Sequence, residues 1–206
     1  FIPMLDNSKL IKNLLFVDDI SLSTLSKRCL NYNNCNKNEI FLKKYHDHAI
    51  SKINDLSKEF SEIILFNKVF LTEKNNALNL DNYEEVFDTF ISKFNKKIKI
   101  IFIEPTPVHK FGPEACVVRN KECSIKLSDA TFHQKKISVI YKKLKKKYKN
   151  VFLLNLNNSL CNDDNCIIYD KNKDLLYCKD IDNISVEMSK NLSITLDKWI
   201  SINFNE

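Results

Sequence analysis

The sequence predicts an α/β fold: a three-layer α/β/α sandwich with a mainly parallel sheet. Three observations carry this expectation. Apolar runs of strand length alternate along the chain with amphipathic stretches of helix length, the order expected when helices cover a sheet. One run, Ile98 to Ile103, is apolar at almost every position, and a strand hydrophobic on both alternating faces suits the buried centre of a parallel sheet. That run ends in Glu104-Pro105-Thr106-Pro107, where two prolines stop strand and helix alike.

With 206 residues the chain suits a single domain over 1–206 and is long enough to bury a full core. A hydrophobic fraction of 44% and 14 phenylalanines fit a globular protein rather than a disordered one. The apolar runs are too short to cross a bilayer. The chain begins with Phe1 rather than Met and shows no signal peptide, so it is expected to be a piece of a longer protein. The net charge of +6 is almost all lysine, Arg28 and Arg119 being the two arginines. Scattered lysines with so little arginine read as a solvated surface, and nucleic acid is not an expected partner.

Taken in order, Ile2, Leu5, Leu10 and Ile11 share one helical face, and Leu14 to Leu22 is a short apolar run read as a strand. Residues 23–38 are polar and read as a loop. From Ile40 to Phe60 the spacing of Phe41, Tyr45, Ala49, Ile53, Leu56 and Phe60 predicts an amphipathic helix. Glu62 to Leu71 is the next strand. Asp81 is placed to cap a helix whose first turn holds Glu84 and Glu85, with the stripe Tyr83, Phe87, Phe90/Ile91, Phe94 facing the core.

After the central strand and its prolines, a long loop with Cys116 and Cys123 leads to a helix over Ala130 to Lys149. Its apolar face is Ile137, Ile140/Tyr141, Leu144 and Tyr148, and eight lysines between 135 and 149 cover the rest. A phosphate- or membrane-binding helix is one reading of those lysines; the polar face of an ordinary amphipathic helix is the preferred one. Val151 to Leu156 is a further strand, Leu175-Leu176-Tyr177 is strand-like, and a helix from Ser185 to Ile200 closes the fold on Met188, Leu192, Leu196 and Trp199/Ile200.

Six of the seven cysteines fall into close pairs, Cys29 with Cys35, Cys116 with Cys123 and Cys161 with Cys166, leaving Cys178 over. No C-x-x-C occurs, which argues against zinc. Local disulfides in an oxidising compartment explain the pairing better than unrelated buried thiols, although the odd Cys178 keeps that alternative open.

Sites in open α/β sheets lie at the carboxyl ends of the strands. The loops after Leu71, Ile103 and Leu156 and the turn Asp180-Ile181-Asp182-Asn183 are therefore expected on one edge. Asp180 can orient a base in nucleophilic catalysis, whereas Asn183 cannot be one, because an amide has no basic nitrogen near neutral pH. His46 and His48 stand two apart on a helix and face different ways. His133 begins the lysine-rich helix and is expected at the surface. His109 lies past the strand ending at Glu104-Pro105 and is the candidate base, although a loop histidine is more often surface. Glu104, Asp180 and Asp182 could supply paired carboxylates, as any acidic α/β edge could. There is no Gly-rich phosphate loop, no G-x-S-x-G and no metal-ligand cluster, and no metal or other cofactor is expected.

The order of these features resembles the SGNH-hydrolase-type domain at the C-terminus of bacterial membrane acyltransferases of the type 3 family. That family shows a central strand ending in a Pro-x-Pro loop, then a Cys pair, a basic helix and a strand. A second Cys pair follows, then a segment of the form Leu-Tyr-x-Asp-x-x-His-Leu-Ser-x-x-Gly. This chain has Ile100 to Pro107, Cys116 and Cys123, the 130–149 helix, Phe152 to Leu156, Cys161 and Cys166, and Leu176-Tyr177-Cys178-Lys179-Asp180-Ile181-Asp182-Asn183-Ile184-Ser185. Upstream, Glu62 to Phe66 and the pair Cys29 and Cys35 are similar to earlier blocks of the family.

The resemblance implies a flavodoxin-like α/β/α sandwich on the periplasmic or extracytoplasmic side of a bacterial inner membrane. It further implies O-acyl, often O-acetyl, transfer to a cell-surface polysaccharide or lipid-linked sugar. The partners it implies are a carbohydrate acceptor, an acyl donor and a membrane acyltransferase domain. The family nucleophile is the Ser of a Gly-Asp-Ser-His block on the first strand, which counting back from Cys29 puts a few residues before Phe1. A rival alignment, with Val17-Asp18-Asp19-Ile20-Ser21 as a decayed form of that block, leaves too little chain before Cys29 for the intervening helix and strand.

Asn183 stands where the family has His, and Met188 where it has Gly; Asp180 matches a triad position. Two readings follow. Either the chain is part of an O-acyltransferase with its Ser upstream and an unusual base such as His109, or it is a decayed, non-catalytic domain that binds glycan or supports a partner acyltransferase.

Overall fold

The computed structural model describes residues 4–5, 7–9, 37–59, 64–68, 83–109, 112–119, 123–131, 135–180 and 183–204. The chain divides into two compact units, one of Phe16–Ile103 and Lys136–Leu153, the other of Phe1–Leu15, Glu104–Lys135 and Leu154–Glu206. The strand expected over 14–22, the cap at Asp81 and Ser21 lie outside the described residues. So do Cys29 and Cys35, and the disulfide expected between Cys29 and Cys35 is not among those the structure describes.

The first unit is built on a three-stranded sheet in the order β1 (Ile64–Lys68), β2 (Lys99–Ile103), β4 (Val151–Leu154). β1 and β2 pair in parallel, Ile64 opposite Lys99 through Lys68 opposite Ile103. Ile100 N donates to Asn150 O and Glu104 N to Leu154 O, so β2 and β4 also advance together. Ile100, Ile101, Phe102 and Ile103 are all buried, as a central strand requires.

Helices α1 (Lys37–Glu59), α2 (Tyr83–Ser92) and α5 (Lys135–Lys147) bring their apolar faces to one core with the sheet. Phe87 meets Phe102 edge-on with centroids 5.3 Å apart, and Tyr141 stacks on Phe102 at 4.7 Å. One aromatic side chain from each of α2, β2 and α5 thus locks helix to sheet, which adds about 0.5–1.5 kcal/mol per pair beyond burial. Asn54 ties α1 to the end of α2, its Nδ2 donating to Lys93 O and its Oδ1 accepting from Asn95 N, both at 2.8 Å.

In the second unit the segment from Glu104 to Pro107 is buried throughout, and Val108 N donates to Ala130 O. The expected long loop carries three short elements: α3 (Glu114–Val118), β3 (Cys123–Lys126) and α4 (Leu127–Ala130). The helix expected over 130–149 is instead α4 followed by α5 from Lys135. The strand expected to reach Leu156 ends at Leu154, because Asn155 Oδ1 accepts from Asn157 N and turns the chain into α6 (Asn157–Leu160).

β5 (Asn165–Asp170) pairs antiparallel with β3 on one side and β6 (Leu175–Leu176) on the other. This second sheet is a departure from the mainly parallel expectation. Its strands are two to six residues long and lie among polar, Cys-bearing turns, too short to show a period. Two of the expected disulfides, Cys116–Cys123 and Cys161–Cys166, bracket it: the first joins α3 to the start of β3, the second closes the turn into β5.

The final helix, α7 (Val186–Phe204), runs beyond the expected Ile200 and buries Met188, Leu192, Leu196 and Ile200. Ser185 begins it as a cap, with Met188 N donating to Ser185 Oγ at 3.0 Å while that hydroxyl donates to Leu176 O. One side chain therefore joins α7 to β6. Asp197, further along α7, accepts from Ser8 Oγ and Lys9 N.

Candidate functional site

The turn after β6 is set by backbone pairing. Tyr177 N donates to Ile168 O, Ser185 N to Tyr177 O, and Lys179 N to Asn183 O, which draws Asp180 and Asn183 together. Within it Asp180 accepts from Asn183 three times. Oδ1 takes the Asn183 backbone N–H and side-chain Nδ2, each at 2.9 Å, and Oδ2 takes Nδ2 at 3.0 Å. The carboxylate is thus oriented by an amide donor that can give a hydrogen bond but cannot take up a proton.

His109 is buried, 3% exposed, against the expectation of a surface loop residue. The physical reason lies in the segment before it, where Glu104 to Pro107 turns inward and carries the ring with it. His109 Nε2 lies 2.7 Å from Cys178 Sγ, itself buried and free of any disulfide. His109 Nδ1 is buried with no hydrogen-bond partner among the described residues.

Burial pulls the imidazole pKa down to about 4. Burial, with a smaller contribution from the Asp180 charge, pushes the Cys178 thiol up to about 12. At neutral pH the two are an uncharged imidazole and an uncharged thiol, not an ion pair. Such an imidazole is a weak base, and the nitrogen with a partner is already engaged by sulfur.

Around the pair is a pocket of about 10 Å³, lined by Thr106, Pro107, His109, Leu160, Ile167, Cys178, Asn183 and Ile184. That is room for about one water molecule. The Pro-x-Pro loop, Cys178 and the Asn183 turn therefore meet at one place, while the loop after Leu71, expected on the same edge, lies outside the described residues.

The other candidates do not join them. Glu104 is buried, its backbone N–H donating to Leu154 O. His48 is exposed on α1, while Asp182, His133 and the His46 side chain lie outside the described residues. Of the six cysteines expected in disulfides, Cys116, Cys123, Cys161 and Cys166 are bonded as expected; Cys29 and Cys35 fall outside the described residues, so that pairing stays an expectation of the sequence. Among the described residues no cluster of three or more His, Cys, Asp or Glu could hold a metal, and no helix is long and apolar enough to cross a membrane. The His109–Cys178 contact joins positions 69 apart in sequence, and no local spacing signals it.

Comparison with known proteins agrees with this architecture. The periplasmic domain of a lipopolysaccharide acetyltransferase from Salmonella ser. Paratyphi A superposes with a TM-score of 0.53 at 15% identity, over 77% of this chain. The aligned region spans 63% of that domain, and at such identity the likeness is one of fold. A search of curated protein sequences returned no match. The family model described as "SGNH domain (fused to AT3 domains)" matches residues 23–193, which covers the parallel sheet, both described disulfides and the Asp180 turn. The chain belongs to the family of SGNH domains fused to AT3 domains.

Proposed function

We propose that this chain is the SGNH part of a bacterial O-acyltransferase that modifies cell-surface polysaccharide or a lipid-linked sugar, and that residues 1–206 by themselves are catalytically silent by the triad route. The reading places the domain on the periplasmic or extracytoplasmic side of the inner membrane, which the disulfides favour. Its partners in this reading are a carbohydrate acceptor, an acyl donor and the membrane acyltransferase domain to which such domains are fused.

One observation carries the claim of silence. Asn183, at the family's His position, donates its amide to both oxygens of Asp180, so the orienting carboxylate is kept and the base it would orient is gone. Disabling a triad member costs on the order of four powers of ten in rate. His109 does not replace it in this reading, because its Nε2 is engaged by Cys178 and burial keeps it a weak base.

The test is acyl-ester hydrolysis by the domain extended upstream of Phe1, compared with the same protein carrying Asn183→His. Silence with Asn and turnover with His is the expected result. Equal, measurable turnover in both would remove Asn183 from the argument. Silence in both would favour a non-catalytic module that binds glycan or supports a partner acyltransferase. The closed, uncharged His109–Cys178 pair supports that second reading.

A further inference from the structure

The parallel sheet begins at two turns that meet. The chain enters β2 through 95–98 and β4 through 148–150, and Asn150 clasps them: its Nδ2 donates to Ile98 O and its backbone O accepts from Ile100 N, each at 2.8 Å. The last turn of α5, with Lys145, Lys146 and Lys147, runs directly into the second of these turns. Lys96, Lys97, Lys145, Lys146 and Lys149 therefore stand around one edge of this unit, and all five are exposed.

Four other lysines of this unit are matched by acids. Lys143 pairs with Glu84, Lys147 with Asp88, Lys93 with Asp47 and Lys58 with Asp55. None of the five forms an ion pair among the described residues.

We propose that this lysine edge docks on the anionic phospholipid headgroups of a membrane leaflet. The surface offers five hydrated point charges and no arginine. It lacks the planar fork that grips a single phosphodiester, and it suits many weak contacts with a charged plane. It also lacks a stacking platform for bases. Tyr148, the aromatic residue at the edge, is half-buried with its hydroxyl donating to Asp88 Oδ1 at 2.9 Å. Fusion to AT3 domains, which are membrane acyltransferase domains, is the family's arrangement and ties such a domain to a membrane. The inference does not depend on the acyl chemistry proposed above.

The test is co-sedimentation of the 206-residue chain with vesicles of phosphatidylcholine alone and with about one third phosphatidylglycerol. Binding is expected to the anionic vesicles only and to fade as salt shortens the screening length from about 10 Å at 0.1 M toward 3 Å at 1 M. The variant K96Q/K97Q/K145Q/K146Q/K149Q is expected to partition at least about 100-fold more weakly, each surface lysine being worth about fivefold. K126Q/K171Q/K179Q/K190Q/K198Q, with the same loss of charge elsewhere, is expected to bind like the parent; circular dichroism checks that both variants remain folded. Equal loss in the two variants would reduce the effect to net charge. Binding of dextran sulfate but not of anionic vesicles would assign the edge to a soluble polyanion. Either result, or no vesicle binding by the parent, overturns the proposal.

Discussion

Cys178 Sγ and His109 Nε2 lie 2.7 Å apart in a buried place where the chain ends one strand and leaves another. The contact engages the sulfur and one ring nitrogen and leaves the other nitrogen, Nδ1, without a partner among the described residues. A thiol and an imidazole side by side suggest a reactive dyad. Burial makes them the opposite, since it favours the neutral form of each.

The first prediction concerns acid. In the unfolded chain His109 titrates near the ordinary histidine value of 6.5, and in the folded chain near 4. Between these values the unfolded state binds more protons, so stability rises with pH and is lost as pH falls from about 6.5 toward 4. The full shift corresponds to about 3 kcal/mol as an upper figure. Urea unfolding at pH 7.5, 6, 5 and 4 should show the slope, and His109→Gln should flatten it. An unchanged slope in that variant would assign the acid sensitivity to other groups.

The second prediction concerns the thiol. With its pKa pushed up to about 12 and its side chain buried, Cys178 should resist a thiol reagent at pH 8 and react at once in guanidinium chloride. Rapid native labelling would show the pocket to be open on the timescale of the reaction. Cys178→Ala leaves a second buried imidazole nitrogen unpartnered and is expected to cost about 1–3 kcal/mol, while Cys178→Ser, which keeps a donor and acceptor, should cost less.

The third prediction concerns the turn. Asn183→Asp replaces three donated hydrogen bonds with one and sets two carboxylates side by side. At pH 7 a loss of about 1–2 kcal/mol is expected. Like-charge repulsion raises the pKa of one carboxylate, so the penalty should shrink as pH falls below about 5 and the pair shares a proton. A penalty independent of pH would mean that the turn tolerates the charge and loses only the hydrogen bonds.

Much of this was legible in the sequence. The uninterrupted apolar run at Ile98–Ile103 marked the central strand because burial on both faces removes the polar alternation of an exposed strand. The Phe87, Phe90/Ile91, Phe94 stripe and the Ile137, Ile140/Tyr141, Leu144 stripe marked α2 and α5, because a helix shows its core face every third or fourth residue. Cys116 with Cys123, and Cys161 with Cys166, were legible as pairs from closeness in sequence. The order of these elements, with Asp180 and Asn183 in place, also carried the family resemblance.

Tertiary structure alone decided the rest. The antiparallel sheet of β3, β5 and β6 depends on partners far apart along the chain, and strands this short carry too few residues to show a period. The same limit hid the burial of His109 and its bond to Cys178. A histidine in a loop has the same letter whether its backbone turns outward or inward, and desolvation, which sets both pKa values, is a property of the surroundings. The sequence by itself determined the central parallel strand, the helices that cover it and that Asn183 follows Asp180 in one turn. Folding decided that the odd cysteine and the loop histidine would meet in a place too dry for either to carry charge.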